Sequence, residues 1–178
     1  MRKLSANIAI SIVLSVVLLA LAGCNNNKNV AGEQSDEQTA ADYIETLGYT
    51  IVASEGETAR YTLEPDRLKS LEDMQLWAVQ EQEASTYFGK EITTYQFIVS
   101  HHPLEQQYPA DEYKISANVM IVDHKVIGGS SAPLSTTENL VVAGGEYSIE
   151  GKTLKEIKGM EYSEWLEHWK GRYGLGEE

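Results

Sequence analysis

Cysteine is nearly missing from this chain: there is one, Cys24. A single thiol excludes an internal disulfide framework and any multi-cysteine zinc or iron–sulfur site. Positive charge is scarce as well. Fourteen Lys and Arg stand against 27 Asp and Glu, a formal net charge of −13 over 178 residues. Nucleic-acid binding needs a basic footprint, and this composition has none. Long apolar runs are limited to one, near the N-terminus, which excludes a polytopic membrane protein. The sequence has no G-x-G-x-x-G, Walker loop, G-x-S-x-G or H-E-x-x-H, so no nucleotide, nucleophile-elbow or zincin signature supports those chemistries. What remains is 42% hydrophobic and 23% charged, a composition that excludes collagen, coiled coil and full disorder.

The N-terminus carries an address. Arg2 and Lys3 form a basic start, and the 14 residues Ile8 to Leu21 follow without a charge. A transmembrane helix needs about 20 apolar residues, so the run is short for a permanent span. Basic start, apolar run and small residues after it describe a secretory signal peptide. Leu21-Ala22-Gly23-Cys24 closes the run. It resembles the lipobox of bacterial lipoproteins. That resemblance implies cleavage between Gly23 and Cys24 and a diacylglyceryl group on the Cys24 sulfur. A free cysteine after a signal peptide and an uncleaved anchor are the competing readings. Two acyl chains anchor stably, at about 0.8 kcal/mol per buried CH₂, whereas one binds only marginally.

These readings divide the chain into a signal peptide over 1–23, a lipidated cysteine with a flexible tether over 24–34, and one domain over 35–178. Cleavage removes Arg2 and Lys3 and no acid, leaving 12 basic against 27 acidic residues, a net −15. Such a charge repels anionic headgroups and favours solubility; a cationic peptide or Ca²⁺ is the sharper alternative partner. Residues 25–34, NNNKNVAGEQ, are too polar to order themselves by burial.

Within the domain, Ser35 with Gln38 resembles a capping box opening a helix that carries Ala40, Tyr43, Ile44 and Leu47 and stops at Gly48. Residues 49–53 and 59–63 read as a hairpin around Ser54-Glu55-Gly56. Pro65 opens a short helix, and Gln75 to Gln80 reads as a strand. Glu91 to His101 and Lys114 to Val122 alternate as half-buried strands, the second turning at Asp123-His124-Lys125 into a strand begun by Val126-Ile127. Gly128-Gly129 ends that strand or forms a bulge, and Leu140 to Ala143 offers a last one. Thr153 with Glu156 caps a short helix stopped by Gly159. A final helix over 163–173 carries Trp165, Leu166, Trp169 and Tyr173 on one stripe, read as core rather than a ligand box. Together these predict an α+β domain: an antiparallel sheet of four to six strands with helices packed on one face.

Four histidines are the candidates for chemistry: His101, His102, His124 and His168. Adjacent strand residues point to opposite faces, so His101 and His102 make poor joint ligands for one metal. His168 with Glu164 four residues before it, on the same helix face, reads either as a metal-binding pair or as a surface hydrogen bond. Ser130-Ser131 have no local triad partner. Tyrosine is abundant, 10 against two phenylalanines, and suits either a finished sheet surface or an interface.

The domain also resembles a group of short lipoproteins from Bacillus-like bacteria. The likeness rests on Leu47-Gly48-Tyr49, Trp77-Ala78-Val79-Gln80, Tyr87-Phe88-Gly89-Lys90, His102-Pro103-Leu104, Val122 to Gly129 and Gly151-Lys152-Thr153-Leu154. It implies location and domain bounds and transfers no catalytic residue. Members of that group often carry Gly where His124 stands.

The expectation is a lipid-anchored binding or interaction domain at the outer face of the cytoplasmic membrane. It would meet a protein or peptide partner, with no catalytic residue, cofactor or metal assigned. The alternative is an extracytoplasmic hydrolase or metal-dependent enzyme using His101 or His102. Metabolic labelling with a palmitate analogue tests the anchor: label is expected on the parent chain and absent from Cys24→Ser, and label persisting on the variant would overturn the assignment.

Overall fold

The computed structural model describes residues 34–137 and 146–174. The expected signal peptide, Gly23, Cys24 and the expected tether up to Glu33 lie outside the described residues, as does the strand expected over Leu140 to Ala143. No helix among the described residues is long and apolar enough to cross a membrane.

Helix α1 spans Asp36–Thr46. The Ser35 hydroxyl accepts from the Gln38 N–H at 3.2 Å, while the Gln38 amide turns to Asp42 instead of closing the box. Asp36 and Glu37 place negative charge where the first-turn N–H groups present positive ends. The helix stops at Gly48, whose φ of 85° is open only to glycine at low cost.

Five strands follow in meander order, each antiparallel to the next. They are β1 (Thr50–Thr62), β2 (Glu91–Ser100), β3 (Tyr113–Val122), β4 (Lys125–Ser135) and β5 (Tyr147–Ser148). This is the expected α+β class with one antiparallel sheet. On β2 and β3 the residues Tyr95, Phe97, Val99, Ile115, Ala117, Val119 and Ile121 are buried on one face, where Ala40 and Ile44 of α1 join them. Consecutive strand residues point to opposite faces, so the odd-numbered set makes a continuous apolar surface.

The helices divide between the two faces rather than gathering on one. Ile92, Met120 and Val122, at even positions, face the other way and build a second cluster with α2 (Leu71–Ala78) and α4 (Tyr162–Tyr173). Both faces of β2 and β3 are apolar at this end, so each needs its own cover. The short α3 (Leu154–Lys158) has the full expected capping box, Thr153 with Glu156, and ends at Gly159 with φ 70°. Trp165 and Trp169 are core, their rings 5.1 Å apart, and the Trp169 indole donates to the Leu68 carbonyl at 2.8 Å.

Three local expectations are corrected. Residues 50–62 form one long strand, not a hairpin. It pairs with β2 along its whole length, and three register irregularities, one of them at Gly56, absorb its extra residues. Residues 75–80 belong mostly to helix α2. Ser70 caps it by accepting from the Asp73 N–H, and Met74, Trp77 and Ala78 are buried at helical spacing. Gly128-Gly129 does not end β4; the bulged residue is Ile127, and the strand runs on to Ser135. The turn at Asp123-His124 is a tight one in which both residues take positive φ, 49° and 62°, as the mirror-image hairpin turn requires. Asp and His tolerate that region better than most side chains, so glycine is not obligatory at 124.

The reason for two consecutive glycines lies in packing. A Cβ on Gly129 would sit 2.1 Å from the Asn118 carbonyl oxygen, and one on Gly128 would sit 2.4 Å from the Gln80 amide oxygen. Both are inside van der Waals contact, the first against backbone that cannot swing away. Gly129→Ala is therefore expected to lose about 2–4 kcal/mol of stability by denaturant unfolding. A loss within error would mean that β4 is not held this tightly to β3.

Candidate functional site

Histidine chemistry finds little room. His102 is buried, and both ring nitrogens are engaged. Nδ1 accepts from the Leu104 N–H at 3.1 Å, so Nε2 carries the proton and donates to the Ile149 carbonyl, also at 3.1 Å. Burial pushes its pKa below the usual histidine value. The ring packs on Tyr49 with centroids 4.6 Å apart. His102 thus caps the 3₁₀ turn Pro103–Gln106 and ties it to the segment after β5. His101, exposed with φ 64°, terminates β2 with its Nδ1 3.1 Å from the Thr50 hydroxyl. The expected strand alternation through His101 is broken there, and both histidines border an open depression with Pro103, Glu105 and Gln106. His124 Nδ1 lies 2.9 Å from Asp36 Oδ1. His168 lines a small cavity of about 140 Å³ among Trp77, Trp165, Trp169 and Tyr173. Among the described residues no group of three or more His, Cys, Asp and Glu is placed to hold a metal ion.

A larger cavity, about 460 Å³, opens between α2, the start of β5, α3 and the start of α4. It falls in the size range of small-molecule sites. Gln75, Ala78 and Val79 form one wall, and Thr153, Leu154 and Lys155 another. Glu161 and Tyr162 stand at the head of α4, and Glu146 and Tyr147 come from the chain entering β5. Each wall is fixed by its own local chemistry. The capping box sets Thr153 and Leu154, the Lys155–Glu161 ion pair joins α3 to α4, and Ala78 and Val79 are buried against the second core cluster. The Tyr147 hydroxyl lies 3.0 Å from that of Tyr108, a hydrogen bond that with burial pushes its pKa up to about 12.

Glu146 is the unusual member. The Ser130 hydroxyl bonds its carboxyl group, yet Oε2 is buried without any hydrogen-bond partner. An ionised carboxyl can accept about four hydrogen bonds, and the capacity of Oε2 is unfilled. Burial raises its pKa above the usual 4.5, and the nearby negative charge of Glu72 adds to the rise. Nothing in the local sequence, Gly-Gly-Glu-Tyr, marks it. Its burial depends on long-range placement beside Ser130, one of two serines noticed in the sequence only for lacking a local partner. Tyr162 is half exposed at the rim, and Leu71, one turn before Gln75 on α2, is exposed too. They are two of the three large exposed apolar side chains among the described residues.

The tyrosines split between the two early readings. Tyr49 and Tyr95 are core, Tyr108, Tyr113 and Tyr147 form an edge-to-face group, and Tyr162 is presented to solvent. Comparison with known proteins finds no matching family model, no matching curated protein and no matching solved structure.

A carboxyl group whose folded pKa is raised favours the folded state below its unfolded pKa and loses that contribution as pH rises through the folded one. Glu146 therefore costs stability at neutral pH. Glu146→Gln, which keeps shape and an acceptor for Ser130, is expected to raise Tm at pH 7. The gain should vanish below about pH 4.5, where the parent's carboxyl is protonated in both states. A lower Tm at pH 7 would show that the carboxylate stabilises the fold.

Proposed function

We propose that this chain is a binding domain, tethered by a lipid on Cys24 at the outer face of the cytoplasmic membrane, that takes its ligand in the cavity beside Glu146. The anchor rests on Leu21-Ala22-Gly23-Cys24 after a charge-free apolar run. The binding role rests on one observation: a cavity large enough for a small molecule whose lining includes Glu146, a carboxyl group with one buried oxygen that has no hydrogen-bond partner. Buried polar atoms are nearly always bonded, and the exceptions concentrate where function needs an unfilled group. The surrounding walls are mostly apolar, with a few polar groups converging, which is the usual make-up of a ligand site. A hydrolase built on His101 or His102 draws less support, because the His102 ring is committed to two backbone groups.

A thermal-shift screen of chemically diverse small molecules on the full-length chain tests this. A ligand at 100 times its Kd adds about 2.7 kcal/mol to stability, so true hits are readily visible. Hits are expected, and their shifts should disappear in Gln75→Trp, which fills the cavity from α2. A screen without hits, or hits indifferent to that substitution, would overturn the cavity as the binding site.

A further inference from the structure

His102 is a titratable group held inside the fold, and the function proposed above does not use it. It is 2% exposed and sits between two turns. On one side is the 3₁₀ turn Pro103–Gln106, whose Leu104 N–H donates to Nδ1. On the other is the turn from Ser148 to Lys152, whose Ile149 carbonyl accepts from Nε2. The fit between them is close: a Cβ on Gly151 would lie 3.1 Å from His102 Cε1 and 3.5 Å from side-chain carbons of both Pro103 and Leu104. This pairing needs a neutral ring, because an imidazolium has two donors and no acceptor. A proton on Nδ1 would face the Leu104 N–H, donor against donor, in a buried site. Glu105 on the 3₁₀ turn and Glu150 in the second turn favour the charged ring, but burial outweighs them and holds the pKa below the ordinary 6.5. Tyr49, packed on the ring from the chain before β1, stays neutral, its own pKa pushed up to about 12. Tyr43 of α1, near Tyr49, is raised by burial as well. His101, next in the chain, is exposed and lies against the Thr50 hydroxyl.

We propose that His102 is a proton-operated clasp: neutral, it fastens the Pro103–Gln106 turn to the Ser148–Lys152 turn, and protonated, it lets the two part while the sheet stays folded. A histidine that binds its proton more weakly when closed than when open makes the closed form stable above about pH 6.5 and progressively weaker as pH falls beneath it. The effect reaches the cavity. Lys152 leads directly into Thr153 and Leu154, which form one of its walls. Loosening the second turn slackens the chain entering that wall, so acid opens the cavity from the side of α3. The clasp does not depend on the cavity's holding a ligand and is tested without one.

The test uses the full-length, isotope-labelled chain in detergent micelles, between about pH 7.5 and about pH 5, the range in which histidine titrates. The ring-nitrogen resonances of His102 are expected to show the Nε2–H tautomer at neutral pH and a titration midpoint below 6.5. Amide hydrogen exchange, corrected for the intrinsic rate, is the second readout. Protection at Leu104 and Gln107 is expected to fall at least about tenfold across the range, while Ala117 and Val119 in the centre of the sheet hold theirs. In His102→Asn, whose side-chain oxygen can accept from the Leu104 N–H but does not titrate, the fall should vanish. A Nδ1–H tautomer, or a midpoint at or above 6.5, would overturn the clasp. So would unchanged protection at Leu104, a fall shared equally with Ala117 and Val119, or a fall that persists in His102→Asn. The two readouts on the parent chain decide the matter even if the variant does not fold.

Discussion

The side chain of Gln80 is the junction on which the arrangement depends. Its amide meets Gly129 twice, donating to the carbonyl and accepting from the N–H, each at 3.0 Å. It thereby takes the place a neighbouring strand would occupy at this point on the outer edge of β4. The same amide nitrogen donates to the Leu76 carbonyl at 2.9 Å, and the Gln80 carbonyl accepts from Lys158 at 2.6 Å. One buried residue thus joins α2, β4 and the end of α3. Burial lowers the Lys158 pKa, in keeping with the partly buried setting of this contact. Two of those elements, α2 and α3, also bound the cavity. The absence of a side chain at Gly128 is what lets the amide come so close.

Much of this was readable one element at a time. Helix boundaries marked by capping chemistry were legible: Ser35, Thr153 with Glu156, Gly48 and Gly159 act where their chemistry says they should. So were the central strands, because period-two alternation over Tyr95, Phe97 and Val99 or over Ile115 to Ile121 has one natural reading. The failures have physical causes. Residues 75–80 carry Trp and Val, which favour strands in isolation, but the Ser70 cap and a second core at Met74, Trp77 and Ala78 override that preference. The turn chemistry of Ser54-Glu55-Gly56 predicts a break within β1; the same residues serve equally as a bulge when a partner strand continues on the far side.

The site was less legible than the fold. Histidines drew attention as the usual carriers of chemistry, yet His102 is a structural cap and His101 a strand terminator. Glu146 drew none, because a glutamate after two glycines in an acidic chain is ordinary. Its character is conferred by neighbours remote in sequence: Ser130 16 residues before it, Glu72 on α2, and walls from three helices. A group defined by what surrounds it can be found only once the chain is folded. The price is a buried carboxylate that opposes folding at neutral pH, the usual signature of a position held for something other than stability.

The outer strand β1 has a bearing on crowding. It forms one edge of the sheet, and an open edge of 13 residues is a template on which another copy could pair. Its three breaks in register mean that its outward N–H and C=O groups do not follow the even spacing a straight strand would need. Glu55 adds negative charge that a second copy would have to approach, while Glu57 is paired with Arg60 on the same strand. Wherever copies meet often, such an irregular edge keeps neighbours as separate folded units instead of seeds for a shared sheet.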